Sequence, residues 1–123
     1  MSLSALRYNE QGLLPVIAQD AESGEIRMVA WADQGAIEKT LETGRAYFFS
    51  RSRGQLWLKG ETSGNTLAVR SVWVDCDEDT LIYLVDPAGP SCHTGAETCF
   101  FRRLGSDGSL IDAPGGAAPT LLR

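Results

Sequence analysis

The thiols and the imidazole of this chain are confined to two short motifs, and any fold it adopts must make chemical sense of both. Residues 75–79 read Asp-Cys-Asp-Glu-Asp, and residues 92–99 read Cys-His-Thr-Gly-Ala-Glu-Thr-Cys. They contain all three cysteines and the only histidine. Thiols and imidazole suit a soft metal ion such as zinc, whereas carboxylates suit a hard ion such as magnesium. A metalloenzyme is therefore the leading interpretation.

Length and charge narrow the classes of partner. With 123 residues, 43% of them apolar, the chain is long enough for one domain with a single modest core. Its formal net charge of -5 argues against a general affinity for nucleic acid or anionic membranes. Residues 44–65 nevertheless hold four basic residues against one acidic residue. This contrast favours a phosphate-bearing small molecule as ligand.

Nothing in the sequence indicates export or membrane insertion. No window approaches the roughly 18 consecutive apolar residues of a membrane span, and the N-terminus lacks a basic segment followed by an apolar one. We therefore expect a cytoplasmic protein that does not contact membranes. Three cysteines cannot all pair with one another, and in a reducing compartment such thiols more often serve a metal or catalysis.

The local patterns predict a mixed fold. Residues 13–19 and 25–31 are short and apolar with turn residues between them, which predicts a β-hairpin. Asp33 is a good helix N-cap and Gly44 a good residue to end a helix, and the apolar spacing between them is helical. These signals predict one short helix.

Four further strands are predicted downstream, separated by glycine-containing breaks, at residues 47–49, 56–58, 67–74 and 81–85. The fold class is thus α+β with a mainly antiparallel sheet. We predict a domain over residues 1–104, followed by a Gly/Pro-rich tail over residues 105–123 that is mobile or loosely packed.

The acidic motif has two possible geometries. A continuing strand would put Asp75, Asp77 and Asp79 on one face and Cys76 on the other. Four rises of roughly 3.3 Å would then separate Asp75 from Asp79 by about 13 Å, too far to share one ion, so the strand must bend or end if they do. A calcium-binding loop is excluded because position 6 is Thr80 instead of Gly and position 12 is Asp86 instead of Glu.

The cysteines also leave alternatives open. Six residues separate Cys92 from Cys99, more than in a structural zinc knuckle. Three thiolates and a water would leave the open position of a catalytic zinc, whereas His93 as fourth ligand would close the site. Adjacent residues rarely ligate one ion well, so we favour His93 as a proton-transfer group. If Cys76 faces away from its carboxylates, it could complete a zinc site with Cys92 and Cys99 of another subunit.

At this point the chain resembles the phosphoribosyl-AMP cyclohydrolase family, whose members open the adenine ring (the N1–C6 bond) of phosphoribosyl-AMP in histidine biosynthesis. The resemblance covers roughly residues 12–103, with the motifs in the family's order. It rests on residues 49–64 (Phe-Ser-Arg-Ser-Arg-Gly-Gln-Leu-Trp-Leu-Lys-Gly-Glu-Thr-Ser-Gly), 75–79, 89–95 (Gly-Pro-Ser-Cys-His-Thr-Gly) and 99–100 (Cys-Phe). Together these motifs are highly specific.

The resemblance implies a strongly curved sheet in an intertwined homodimer, with one zinc and one magnesium ion per subunit. It assigns zinc to Cys92, Cys99 and Cys76 of the partner subunit, and magnesium to Asp75, Asp77 and Asp79. It places His93 at the catalytic centre, where a zinc-activated water would attack. Some relatives carry a fused pyrophosphohydrolase domain; this chain has no room for one, so we expect another protein to perform that step.

A substrate with a phosphoribosyl group at each end requires anion binding. The residues predicted to bind it are Arg51, Ser52, Arg53, Lys59, Thr62 and Ser63. Tyr47 and Trp57 are assigned to the core instead, because strand aromatics at alternating positions usually lie there. One departure from the family pattern is Glu97, an acidic residue where a basic one is common, and we expect it to weaken a phosphate contact without touching the metal ligands.

Two other functions would use a similar set of zinc ligands. A zinc base deaminase attacks a ring carbon in a similar way, but its His-x-Glu and Pro-Cys-x-x-Cys motifs are absent from the sequence. A non-catalytic zinc module that stabilises a dimer or binds a partner is consistent with the composition. It does not explain the order of the motifs.

Overall fold

The computed structural model describes residues 2–112 of the chain. The elements within that range are α1 (Gln34–Thr43), β1 (Leu14–Asp20), β2 (Ile26–Ala32), β3 (Tyr47–Ser50), β4 (Gln55–Leu58), β5 (Leu67–Val74), β6 (Leu81–Pro87), β7 (Arg102–Leu104) and β8 (Leu110–Asp112). The α+β class and each predicted strand before residue 100 are confirmed.

The helix and the first hairpin form for the local reasons that the sequence contains. β1 and β2 pair antiparallel, as predicted. Asp33 caps α1, since its Oδ1 accepts a 2.8 Å hydrogen bond from the Ala36 amide. Gly44 ends the helix at φ 75°, in the left-handed region that glycine adopts without a side-chain clash.

The largest sheet has the strand order β2-β1-β6-β5. Its outer pairs are antiparallel, but β1 and β6 are parallel, with Val16 opposite Leu81. This parallel pair was not predicted, because two strands so far apart in the sequence carry no local signal that they pair. The sheet is otherwise antiparallel, as predicted.

The single, strongly curved sheet that we expected is replaced by separate sheets. In the described part of the chain, β3–β4 and β7–β8 each form a two-stranded sheet beside the four-stranded one. The tight turn after β4 contains Gly60 and Gly64, both at positive φ, and β4 does not pair with β5, the strand that follows it in the described part of the chain. The Ala46 amide still donates to the Leu67 carbonyl at 3.0 Å, which links the sheet of β3 and β4 to β5. The homodimer stays a prediction.

The core lies between α1 and one face of the four-stranded sheet. Alternate residues of β1 and β6 point into it, and Tyr83 and Phe48 are its largest fully buried side chains. Phe48 packs against both Tyr83 and Trp57, with ring centroids 5.6 and 5.5 Å apart. The core therefore supports β3 and β4, which lie within the basic segment, residues 44–65.

The described part of the predicted tail is a hairpin. β7 and β8 pair antiparallel across a turn at residues 105–109, and every residue of the two strands is exposed. This pairing spans the predicted boundary at residue 104, and the remainder of the tail, residues 113–123, lies outside the described residues. Among residues 2–112 no helix has the length and apolar character needed to cross a membrane. The cytoplasmic location stays a prediction.

Candidate active site

A cleft of about 350 Å³ opens between β4, the turn that follows it and the loop that carries Cys92. It brings together six residues that the sequence analysis selected: Arg53, Lys59, Thr62, Ser63, Cys92 and His93. They come from two segments about thirty residues apart in the sequence. The cleft thus joins the basic segment to the cysteine motif within one chain.

Residues 59–65 form one wall of the cleft, and their tight turn requires glycine at position 60. Gly60 has φ 84°, and a Cβ built there would lie 2.4 Å from the Asn65 carbonyl carbon. The Gly64 amide donates to the Gly60 carbonyl at 2.8 Å and closes the turn. Only glycine fits this backbone position without a clash. Thr62 and Ser63 belong to the same turn, and their side chains line the cleft.

Residues 89–99, which we call the cysteine loop, form the opposite wall. Within it the Ser91 amide donates to the Glu97 carbonyl at 3.0 Å, and the Cys92 amide donates to the Ala96 carbonyl at 3.1 Å. These bonds fold the loop back on itself and leave His93 exposed between them. His93 therefore faces the cleft on a loop whose ends are paired.

The second cysteine of the loop is tied to β2. The Cys99 amide donates to the Arg27 carbonyl at 2.8 Å, and the buried Thr98 hydroxyl donates to the Ile26 carbonyl at 2.7 Å. The fold thereby places the Cys92 and Cys99 thiols close enough for each to shift the pKa of the other. Two of the three predicted zinc ligands are neighbours in one chain.

The two thiols have different proton affinities. A 3.1 Å hydrogen bond from the Thr94 hydroxyl to the Cys92 sulfur is the main cause of a lowered Cys92 pKa, and the Lys59 charge acts in the same direction. Desolvation, followed by the nearby Cys92 sulfur, raises the pKa of Cys99 to about 11. The charge of one thiolate thus opposes ionisation of the other, which is the situation that a bound cation relieves.

Lys59 lines the cleft and also contacts the cysteine loop, so its binding of a phosphate stays a prediction. Only 9% of the residue is exposed, and its ammonium group donates to the Ser91 carbonyl of the cysteine loop. This contact links the two walls of the cleft. Lys59 thus places a positive charge beside Cys92.

The acidic motif is a turn, because β5 ends at Val74. The Asp75 amide donates to the Thr80 carbonyl, and Asp75 Oδ1 accepts from the amides of Asp79 (3.0 Å) and Thr80 (3.3 Å). Although desolvation opposes it, hydrogen bonding to Asp79 and Thr80 lowers the Asp75 pKa. Carboxylate oxygens of Asp75, Asp77 and Asp79 lie within 4.8 Å of one another, so the strand ends as sharing one ion requires.

Cys76 stands apart from the other two cysteines. Its exposed sulfur lies 3.7 Å from Asp77 Oδ1 in the acidic turn. Within residues 2–112 of one chain it does not gather with Cys92 and Cys99 into a three-ligand group. The acidic turn is also absent from the cleft lining. One subunit alone therefore offers an incomplete set of thiols.

Two predicted substrate residues do not line the cleft. The Arg51 guanidinium lies over the Trp31 ring, 4.9 Å from its centroid, and Ser52 lies in the exposed turn between β3 and β4. Their roles stay predictions. Of the aromatic residues assigned to the core, Tyr47 packs there, whereas Trp57 both packs on the core and lines the cleft.

Arg27 and Asn65 are structural parts of the site that the sequence analysis did not select. Arg27 in β2 contacts the cysteine loop, and Asn65 fits closely against Gly60 and Gly89. A charged residue inside the apolar run of β2 was the available signal for Arg27. Asn65 gave none, because its role depends on a tertiary contact.

The fold and the cleft define a class: an α+β protein whose cleft is lined by a thiol, the chain's single imidazole and the basic side chains of Arg53 and Lys59. Comparison with known proteins makes this specific. The family model for phosphoribosyl-AMP cyclohydrolase matches residues 28–101. A Haloquadratum walsbyi phosphoribosyl-AMP cyclohydrolase is 52% identical over 106 residues, which cover 86% of this chain and 79% of the relative. The chain belongs to the phosphoribosyl-AMP cyclohydrolase family, and so to a family of enzymes.

Other relatives agree. The phosphoribosyl-AMP cyclohydrolase of Acidiphilium cryptum is 51% identical over 106 residues, covering 86% of this chain and 91% of that protein. The histidine biosynthesis bifunctional protein HisIE of Thermus thermophilus is 56% identical over 104 residues, covering 85% of this chain. The match spans only 49% of that bifunctional relative. The chain thus corresponds to about half of the bifunctional protein and to most of the others.

Proposed function

We propose that this protein is a phosphoribosyl-AMP cyclohydrolase that hydrolyses the N1–C6 bond of the substrate's adenine ring in histidine biosynthesis. The observation that carries the proposal is the cleft itself. It sets the exposed imidazole of His93 and the thiol of Cys92 opposite Arg53, Thr62 and Ser63. Family membership supplies the reaction, and the cleft supplies groups suited to it.

The reaction consumes one water molecule. Its oxygen adds to C6, the C6–N1 bond breaks, and C6 becomes the carbonyl carbon of an amide while the protons pass to nitrogen. His93 is the only imidazole in the chain, so it would accept a proton from the water and return it to the leaving nitrogen. Its exposure in the loop leaves it accessible to both groups.

The phosphoribosyl groups need cationic and hydroxyl donors. The Arg53 guanidinium and the hydroxyls of Thr62 and Ser63 line the cleft and would bind phosphate oxygens there. Lys59 would act indirectly by fixing the cysteine loop and adding positive charge. Arg51 and Ser52 remain candidates for the distal phosphate, outside the cleft.

The donor set fits a zinc ion. Cys92 and Cys99 lie near each other in one chain, and ionisation of one thiol opposes ionisation of the other. A zinc ion held by these cysteines and by Cys76 of the partner subunit would supply Lewis acidity and lower the pKa of a bound water toward about 7. Since three thiolates would blunt that acidification, a base such as His93 contributes beside it.

The carboxylates of Asp75, Asp77 and Asp79 fit a hard cation, which we infer to be magnesium. Oxygens within 4.8 Å of one another, on exposed side chains, suit an ion that keeps several waters. Such an ion would orient a substrate phosphate or polarise the ring. Because Cys76 lies between Asp75 and Asp77, a Cys76 donated to the partner's thiol pair would carry the acidic turn to the partner's cleft.

This arrangement requires a homodimer, and exposed apolar side chains next to Cys76 support it. Trp73 and Val74 at the end of the edge strand β5 are 59% and 45% exposed. An exposed apolar strand edge is a site for association. We therefore include the intertwined homodimer in the proposal.

The test is an ultraviolet assay of ring opening of phosphoribosyl-AMP with metal-stripped protein, to which zinc and magnesium are returned singly and together. Turnover that needs both ions supports the proposal and the division of ligands. A folded, zinc-loaded dimer without turnover would contradict it and favour a non-catalytic zinc module.

A further inference from the structure

Arg27 is a buried charge that connects β2 to the cysteine loop. Only 4% of the residue is exposed. Its Nε donates to the Ser91 hydroxyl at 3.1 Å, and its Nη2 donates to the Gly89 carbonyl at 3.0 Å. Ser91 directly precedes Cys92, so Arg27 holds the entry to the cysteine loop.

The same side chain reaches the far end of the loop. Arg27 Nη1 lies 3.3 Å from a Glu97 carboxylate oxygen, 2.8 Å from Glu25 and 4.0 Å from Asp20. Glu97 is the one member of this acidic set that belongs to the cysteine loop, and its side chain is 62% exposed. The Arg27 backbone carbonyl also accepts the Cys99 amide.

Physical chemistry gives these contacts a consequence for the thiols. A buried guanidinium is costly unless its donors are satisfied. Displacement of the cysteine loop would strip Arg27 of the Ser91, Gly89 and Glu97 contacts at once. The burial cost of Arg27 therefore favours the one loop position in which Ser91, next to Cys92, and the Cys99 amide both contact Arg27.

We propose that Arg27 and Glu97 are positioning residues that hold Cys92 and Cys99 at the spacing needed to bind a metal ion. This inference rests on the metal site of the proposed function. It also gives a role to Glu97, the acidic departure from the family pattern. Glu97 lies in the cysteine loop, and its carboxylate pairs with Arg27 of β2.

The test is metal affinity, which needs no substrate. Cobalt(II) is titrated into metal-free full-length protein in competition with a chelator, and the thiolate-to-cobalt absorption is followed. Arg27→Met is expected to weaken binding by about 10- to 100-fold, as loss of a ligand-orienting contact does. Glu97→Gln should cost about two- to fivefold, because its carboxylate is mostly exposed.

The double variant Arg27→Met/Glu97→Gln sharpens the test. Glu97 acts through its ion pair with Arg27, so Glu97→Gln should cost little further affinity once Arg27 is gone, and the double variant should bind cobalt about as tightly as Arg27→Met does. Arg27→Lys, which keeps the charge but not the forked donors, should fall between wild type and Arg27→Met. Arg70→Met is the matched control, since Arg70 pairs with Asp86 and Glu22 on the surface, away from the loop.

Other outcomes would overturn the inference. If Arg27→Met lowers the melting temperature but leaves the cobalt affinity and spectrum unchanged, Arg27 only supports the fold. Unchanged affinity in Glu97→Gln, which should fold normally because Glu97 is exposed, would remove Glu97 from the proposal. A wild-type protein that shows no thiolate-to-cobalt absorption would instead contradict the metal site of the proposed function.

Discussion

The cysteine loop and the acidic turn both carry predicted metal ligands, but the fold supports them differently. The cysteine loop is bound to the body of the protein from three sides, by Arg27, Lys59 and the Thr98 hydroxyl. The acidic turn, residues 75–80, is joined mainly by bonds within itself and by one bond from the Arg7 amide to the Glu78 carbonyl, and it leaves Cys76 exposed.

The difference indicates how the two halves of the site are used. A loop fixed by buried contacts presents its ligands in one geometry before any metal or substrate arrives. A turn whose thiol and carboxylates are exposed can present them to a second subunit while it keeps its own bonds. Under the proposed function, the cysteine loop would be the preformed half of the site, and the acidic turn would be the half that a second subunit contributes.

The largest effect is expected from the preformed half. His93→Ala should lower kcat by about 10²- to 10⁴-fold, because the only imidazole available for proton transfer is lost. Zinc content should stay at wild-type stoichiometry. The measurement is steady-state ring opening together with metal analysis of the same sample, and an unchanged melting temperature of His93→Ala is the control for general damage. Loss of zinc in His93→Ala would make the histidine a ligand instead.

The next effect tests the docking half. Cys76→Ser should weaken zinc binding by more than the roughly 10- to 100-fold that loss of an orienting contact costs, because an actual ligand is removed. Dimer affinity, followed by sedimentation equilibrium, should fall in parallel, since the ion joins the subunits. Trp73→Ser on the same exposed edge should weaken the dimer more than it weakens zinc. A tight, zinc-free Cys76→Ser dimer would refute the shared site.

The same contrast explains what the sequence could foretell. The helix between Asp33 and Gly44 and the strands up to β6 follow from caps, glycines and alternation within a few residues. A rise of about 3.3 Å per residue would place Asp75 and Asp79 about 13 Å apart in a continuous strand, so a shared ion required the strand to end. The strand does end, at Val74. Structure that depends on neighbouring residues was therefore predictable from the sequence.

What the sequence could not foretell depends on distant residues. The parallel pairing of Val16 with Leu81 and the bond from Arg27 to Ser91 join segments more than sixty residues apart. Lys59 illustrates the consequence: its charge suggested a phosphate ligand, yet tertiary contact turns it toward the cysteine loop. Charge identifies a candidate, whereas its partner is decided by the fold.

A smaller effect should follow from the acidic turn's own carboxylates. Asp77→Asn removes one of the three clustered carboxylates and should raise the magnesium concentration needed for half-maximal activity several-fold, while zinc content is spared. Asp107→Asn, another exposed aspartate in a turn, is the matched control. Equal magnesium dependence in both variants would make the acidic turn a solvated connection without an ion.

The smallest effect concerns the order in which the paired thiols ionise. In metal-free protein on a Cys76→Ser background, thiolate absorbance should rise in two steps, first for Cys92, whose pKa lies below the ordinary thiol value, and then for Cys99, near pH 11. Thr94→Val deletes the hydroxyl that donates to the Cys92 sulfur, so the first step should move to higher pH. Because the Thr94 bond lies within the cysteine loop, this shift also tests whether the loop keeps its folded geometry without metal. If Thr94→Val leaves the first step unmoved, the loop is not preformed, and its distinction from the acidic turn fails.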